Sequence, residues 1–250
     1  MALFTDGAVA NIEALKGHDT QLLNVATVED IDVTRKLALA HEEISVELVG
    51  LLEQAMQSGR LAAPPSIDQI VVTTPLKLWH VFRTLEMVYR DAFNSQLNDR
   101  YGGKRDEYRD MAKWAYGNLI QRGLGMVTNP VKQATTPELR QSAGTLADGT
   151  YYVAITWTNA VGDEGASSTP AMIEVSDGSF AVETRPTADV AGWNVYCGTS
   201  PSTMTIQNGL ALAPGQAWIQ SDAVSTAGRL AGNGQTATYW LQVPRMIQRG

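Results

Sequence analysis

TYYVAITWT, residues 150–158, decides the fold. Tyr151, Val153, Ile155 and Trp157 fall on one side and Tyr152, Ala154, Thr156 and Thr158 on the other, the two-residue alternation of a half-buried strand with one core face. Before this stretch the apolar residues recur about every 3.6 positions, and after it about every 2. The expected architecture is therefore two domains, an all-α helical bundle followed by an all-β sandwich.

Downstream, AMIEV, SFAVETR, GWNVYCG, MTIQ, AWIQ and TYWLQV continue the strand pattern at short intervals. Turn residues separate them: Asp148-Gly149, Asp177-Gly178, Ser200-Pro201, Asn208-Gly209 and Pro214-Gly215. Asp177-Gly178, between two apolar runs, is the strongest hairpin signal. About seven short strands over some 95 residues predict an antiparallel sandwich of immunoglobulin type.

Upstream, Val33, Leu37, Ala40, Ile44, Leu48, Leu51 and Ala55 are spaced by fours and threes, behind an N-cap pair at Thr27 and Asp30. This predicts one long amphipathic helix that stops near Gly59. Pro75, just inside a helix start, opens a second helix that runs to about Asn98 on Leu78, Phe82, Leu85, Tyr89, Phe93 and Leu97. A third is expected from Asp106 to about Gln121, with Gly123 beyond its end, and a short one near residues 9–16.

Charge follows the same division. All six lysines and the three histidines, His18, His41 and His80, precede residue 133, whereas from Ser142 onward four arginines face eight acidic residues. The expected boundaries are a helical bundle over residues 1–129, a linker at 130–146, a sandwich at 147–229, and a C-terminal strand with a docking tail at 230–250. In that tail Val243, Pro244, Arg245, Met246, Ile247 and Arg249 are apolar and basic, have no place in the sandwich pattern, and are the candidate partner-docking residues.

The function classes narrow from composition. No export signal and no apolar run of membrane-spanning length is present in these 250 residues, and the single Cys197 cannot form an internal disulfide. The reading is a protein made in a cytoplasm, with no membrane association. A net charge of −7 argues against a surface that grips nucleic-acid phosphates.

No catalytic constellation emerges, and the chain is expected to be neither an enzyme nor a holder of cofactor or metal. HEEIS, residues 41–45, begins like a zinc-protease helix but has Ser45 where the second imidazole ligand belongs. EDIDV, residues 29–33, lacks the glycine and the further oxygens of a calcium loop, and reads as an acidic helix start. Cys197, inside a strand, reads as a small buried hydrophobe, and residues 159–168 as a solvated turn. Trp193 and Trp218 are candidate exposed sandwich contacts, able to stack on sugars if their rings face solvent.

Two resemblances add to this. Tyr151 and Val153 followed by Asn159, Gly162 and Glu164, together with Asn-Val-Tyr-x-Gly at residues 194–198, resemble the fibronectin type III and bacterial immunoglobulin-like modules of tailed-phage structural proteins, over about residues 149–228. Val182-Glu183-Thr184 stands where such modules often carry a tryptophan, and Trp193 replaces their usual tyrosine. The first half, through residues 7–11 and VATVEDIDVTRKLALAHEEISVELVGLLE, is similar to the helical head-tail connector proteins of tailed bacteriophages.

Those resemblances imply a structural virion protein, assembled in the host cytoplasm. It would be an adaptor in the neck that binds the portal protein and downstream tail or neck proteins. They imply a homo-oligomeric ring, about 12 copies by family resemblance, through which DNA passes without sequence-specific contact, and a sandwich that faces outward. The alternative is a carbohydrate- or cell-surface-binding module on a helical tether.

Overall fold

The computed structural model describes residues 2–57, 64–96, 99–185 and 190–243. Two compact units are present, and neither is a single continuous run of chain. One combines residues 1–6 with 129–236, and the other combines 7–128 with 237–250.

Among the described residues the second unit holds five α-helices: α1 (Ile12–Lys16), α2 (Leu22–Val28), α3 (Val33–Gln57), α4 (Thr74–Gln96) and α5 (Gly102–Arg122). Helix α3 buries Val33, Leu37, Ala40, Ile44, Leu48, Leu51 and Ala55, the stripe its sequence spacing predicts. Its start differs from the expectation. Thr27 belongs to α2, Asp30 adopts a left-handed φ of 52° that breaks the chain direction, and Asp32 accepts the Arg35 N–H at 3.0 Å in the capping position. Asp30 and Asp32 carry the same side chain two residues apart, and only Asp32 follows the break. Helix α4 is central: Leu76, His80, Phe82, Leu85, Val88 and Ala92 are buried on several sides of it, against α3 and α5.

Helix α5 ends at Gly123, whose φ of 88° and place 2.7 Å (measured from an added Cβ) from the Leu241 carbonyl leave no room for a side chain. The chain then forms β1 (Leu124–Met126), which pairs antiparallel with β9 (Tyr239–Leu241). This small sheet lies within the helical unit. It corrects the expected fold class: the protein is a mixed helix-and-sheet chain, not an all-α bundle followed by an all-β sandwich. Three-residue strands carry too little alternation to be told from coil, and their pairing joins segments on either side of the whole strand-rich unit.

The strand-rich unit packs two antiparallel sheets. One has the order β2-β5-β8, from β2 (Glu138–Leu146), β5 (Gly178–Glu183) and β8 (Trp218–Gln220). The other has the order β4-β3-β6-β7, from β3 (Gly149–Thr158), β4 (Ala171–Val175), β6 (Gly192–Gly198) and β7 (Thr205–Ile206). Residues 138–146, within the stretch read as a linker, are thus a strand of the sandwich.

Between the sheets lies one core of Val153, Ile155, Trp157, Phe180, Val182 and Trp193, with Val195 and Cys197 beside them. The odd face of β3 therefore points inward, as its alternation predicts. The even face is covered too: Ala154 and Tyr196 pack against Met204, Ile206 and Ala231. Asp177-Gly178 is a corner and not a hairpin, because β4 pairs with β3 whereas β5 pairs with β2 and β8. Asp177 takes φ 51° there, and its N–H donates to Asp148 Oδ1 at 2.9 Å.

Candidate functional sites

The acidic residues singled out in the sequence are occupied by the fold. Glu29 accepts from Ser95 Oγ at 2.5 Å and from Tyr101 Oη at 3.0 Å, and Asp32 caps α3. In HEEIS, Glu43 holds the Arg83 guanidinium at 2.6 Å, while His41 turns toward His80, with ring centroids 6.0 Å apart. The motif is thus spread around the helix. Among the described residues, no three His, Cys, Asp or Glu side chains come together as a metal site would need. Among them, too, no helix is long and apolar enough to cross a membrane.

His80 is fully buried on α4. Its Nε2 lies 3.2 Å from the Leu37 carbonyl, and its Nδ1 has no hydrogen-bond partner among the described residues. Burial, then the neighbouring His41, push its pKa down to about 4, against a smaller opposing effect of the Leu37 carbonyl. The linkage sign follows. The folded value lies below the ordinary one of about 6.5, so the unfolded chain binds the extra proton and stability falls as pH drops from about 6.5 to about 4. Near pH 5 this one group is expected to favour unfolding by about tenfold per pH unit. His80→Gln should remove that component of the slope in denaturation curves taken at several pH values; an unchanged slope would show that His80 does not titrate this way.

The most connected polar cluster lies on the even face of β3 and β6. Thr156 and Asn194 are opposite each other in the ladder, and Tyr196 lies two residues on. Glu164, after the loop that follows β3, accepts from the Thr156 hydroxyl, from Asn194 Nδ2 at 2.9 Å and from Tyr196 Oη at 2.7 Å, all on one oxygen. Its other oxygen takes Arg229 Nη1 at 2.6 Å, and that guanidinium lies over the Tyr196 ring, 5.6 Å from its centroid. Asn208 extends the network by donating to Asn194 Oδ1 at 2.9 Å.

Burial by itself pushes the Glu164 carboxyl up, but the bonds from Arg229, Thr156, Asn194 and Tyr196 more than offset it, leaving the pKa below the usual range. Tyr196, buried and bonded to that carboxylate, is pushed the other way. Both oxygens of Glu164 are engaged, so the cluster is a clamp between the loop after β3, the sheet and the segment around Arg229. Sequence reading placed Glu164 in a solvated turn. The signal that could have found the clamp is Asn194, an amide in the middle of the largely apolar run of β6.

The remaining sequence candidates divide by burial. Cys197 is fully buried and its thiol is pushed up to about 12 by burial, which leaves no thiolate for nucleophilic chemistry near neutral pH. Trp193, read as an exposed contact, is 0% exposed, because it stacks into the inter-sheet core and donates its Nε1–H to the Ala213 carbonyl at 3.1 Å. Trp218 is half-buried against Phe180, with centroids 6.5 Å apart. The exposed tryptophans are Trp114 on α5 and Trp240 on β9, both in the helical unit. Of the tail, Val243 is buried, and Pro244, Arg245, Met246, Ile247 and Arg249 lie outside the described residues.

Grooves mark the described residues of the helical unit. One, of about 520 Å³, has Trp79 and Tyr116 at its floor, Glu43 and Glu47 of α3 on one wall, and Arg109 and Lys113 of α5 on the other. Another, of about 630 Å³, is apolar and lies between residues 7–13 and the first turns of α3, where Ala8, Ala10, Ile12, Leu37 and Ala38 line it and Glu13 and Glu42 stand among its polar residues. Compared with protein-family models the chain matches none, and the comparison with curated proteins gives no match either.

Proposed function

We propose that the protein is a non-enzymatic structural component of a tailed-phage virion, an adaptor in the neck whose helical unit engages the portal ring and whose strand-rich unit faces outward. The observation that carries this reading is where the chain returns. Strand β9 folds into the helical unit, so the apolar and basic residues after Val243 follow directly from the part that the connector resemblance makes the attachment surface.

The same unit exposes Trp114 and Trp240, the aromatic type enriched where proteins meet. A net charge of −7 supports a ring whose wall DNA slides past without adhering. Function in this reading is assembly: copies join by heterologous contacts whose rotation closes, about 12 of them by family resemblance.

Antibody raised against the strand-rich unit, with immunogold imaging of particles, tests the location. Label at the head-tail junction is the expected result. Label confined to the tail tip, or particles without label, would overturn the neck assignment. Removal of residues 245–250 is expected to lower incorporation into particles by about tenfold, the loss of roughly 1.4 kcal/mol of docking energy. Unchanged incorporation in a complementation assay would overturn the docking role of the tail.

A further inference from the structure

We infer that the apolar groove between residues 7–13 and α3 receives the Met246–Ile247 part of the tail of a second copy of this chain. The inference rests on the ring-forming part of the function proposed above. Its first ground is chemical. The groove offers Ala8, Ala10, Ile12, Leu37 and Ala38 to two apolar side chains. Glu42, which forms no ion pair among the described residues, and Glu13, tied only to the exposed Lys16 at 2.9 Å, stand ready for Arg245 and Arg249 on either side of that pair. An apolar centre with charged flanks of opposite sign fixes both the register and the direction of an entering segment.

The second ground is reach, and it selects a second copy over the chain's own tail. Helices α3 and α4 run antiparallel with Glu43 against Arg83 and Lys36 against Asp91. Helices α4 and α5 are antiparallel with Trp79 on Tyr116. The start of α4 and the end of α5 therefore lie level with about residue 53 of α3. Val243 is at that level, since Gln242 donates to the Arg122 carbonyl at 3.0 Å.

At about 1.5 Å per helical residue, the nearest edge of the groove, Glu42, is ~17 Å further along the axis and its centre, Ala38, is ~23 Å. Met246 and Ile247 follow Val243 by three and four residues, a span of at most ~14 Å even when fully extended. They fall short of their own groove. A neighbour's groove carries no such limit, and a tail given to one copy while a groove is filled by another is a heterologous contact of the kind that closes rings.

The test uses full-length chains. Ala38→Trp, at an exposed position, fills the groove, and a Met246→Asp, Ile247→Asp double variant disables the tail. In sedimentation at up to about 100 μM, the unaltered chain is expected to form species of several copies, and each variant alone to remain single. Mixed in equal amounts, the two variants should form a one-to-one pair and nothing larger, because only one good tail and one good groove remain to meet.

A mixture that stays single, a variant that still assembles, or an unaltered chain that remains single would each overturn the inference. Glu13→Arg with Glu42→Arg should weaken association by about tenfold, and Arg245→Glu with Arg249→Glu in the same chain should restore it; no restoration would overturn the assignment of the flanking charges. Failure here with label at the neck of particles would remove the groove and leave the neck reading. Paired association with particles that carry no label would do the reverse.

Discussion

Trp193→Ala is expected to destabilise the strand-rich unit by about 4 kcal/mol, within the range measured for removing a large aromatic from a core. The side chain is fully buried, pairs across the ladder with Trp157, and anchors the Ala213 carbonyl through its indole N–H. Truncation leaves a cavity between the sheets and removes the indole bond to the Ala213 carbonyl, which keeps only the Gln216 N–H. Denaturant unfolding followed by near-ultraviolet circular dichroism should show the midpoint fall. A loss below about 1 kcal/mol would mean that the ring is not packed between the sheets. The result also decides a binding question: a glycan platform needs an exposed ring, and loss of binding in this variant would report unfolding.

Glu164→Ala is expected to cost about 3 kcal/mol. Thr156, Asn194 and Tyr196 are buried and each loses its acceptor, at roughly 1 kcal/mol apiece. Arg229 is about half exposed and regains water, so it adds little. Glu164→Gln keeps the shape and part of the bonding, and should cost less than Ala. The pH dependence has a definite sign. A folded pKa below the unfolded one means that the clamp's contribution is fully present above the ordinary carboxylate pKa of about 4.3, and is lost as pH falls through the depressed folded value. The expected pattern is a stability difference between the unaltered chain and Glu164→Ala that is full at pH 7 and shrinks as the pH falls below the ordinary carboxylate range. Equal stability at both pH values would show that the carboxylate holds nothing together.

Periodic features are legible in the sequence where one surface decides them. The α3 stripe from Val33 to Ala55 and the inward face Tyr151, Val153, Ile155 and Trp157 are both set by a single buried side, and residue spacing reports that directly. Partner choice is less legible. Asp177-Gly178 encodes a tight change of direction but not whether the next strand pairs with the last or crosses to the other sheet, and here it crosses. The covered even face of β3 depends on Met204, Ile206 and Ala231, which arrive from far along the chain. Glu164 was hidden for the same reason, since a carboxylate in a Gly-rich turn looks solvated until its four partners converge. Nor could spacing alone place β1 against β9, where a few residues on each side carry the pairing.

The interleaving of the two units has a consequence for synthesis. The helical unit lacks β9 until the ribosome has passed through the entire strand-rich unit, and Leu3 and Phe4, buried in the strand-rich unit, must wait for residue 129 onward. A nascent chain thus carries five helices with Gly123 and β1 facing an empty edge, and completes that edge only when Tyr239–Leu241 emerges. Because the residues after Val243 follow within a few codons, the helical unit is completed at nearly the same moment as the segment we assign to subunit joining. In the proposed ring assembly, a half-made copy therefore lacks both its finished helical unit and its joining segment.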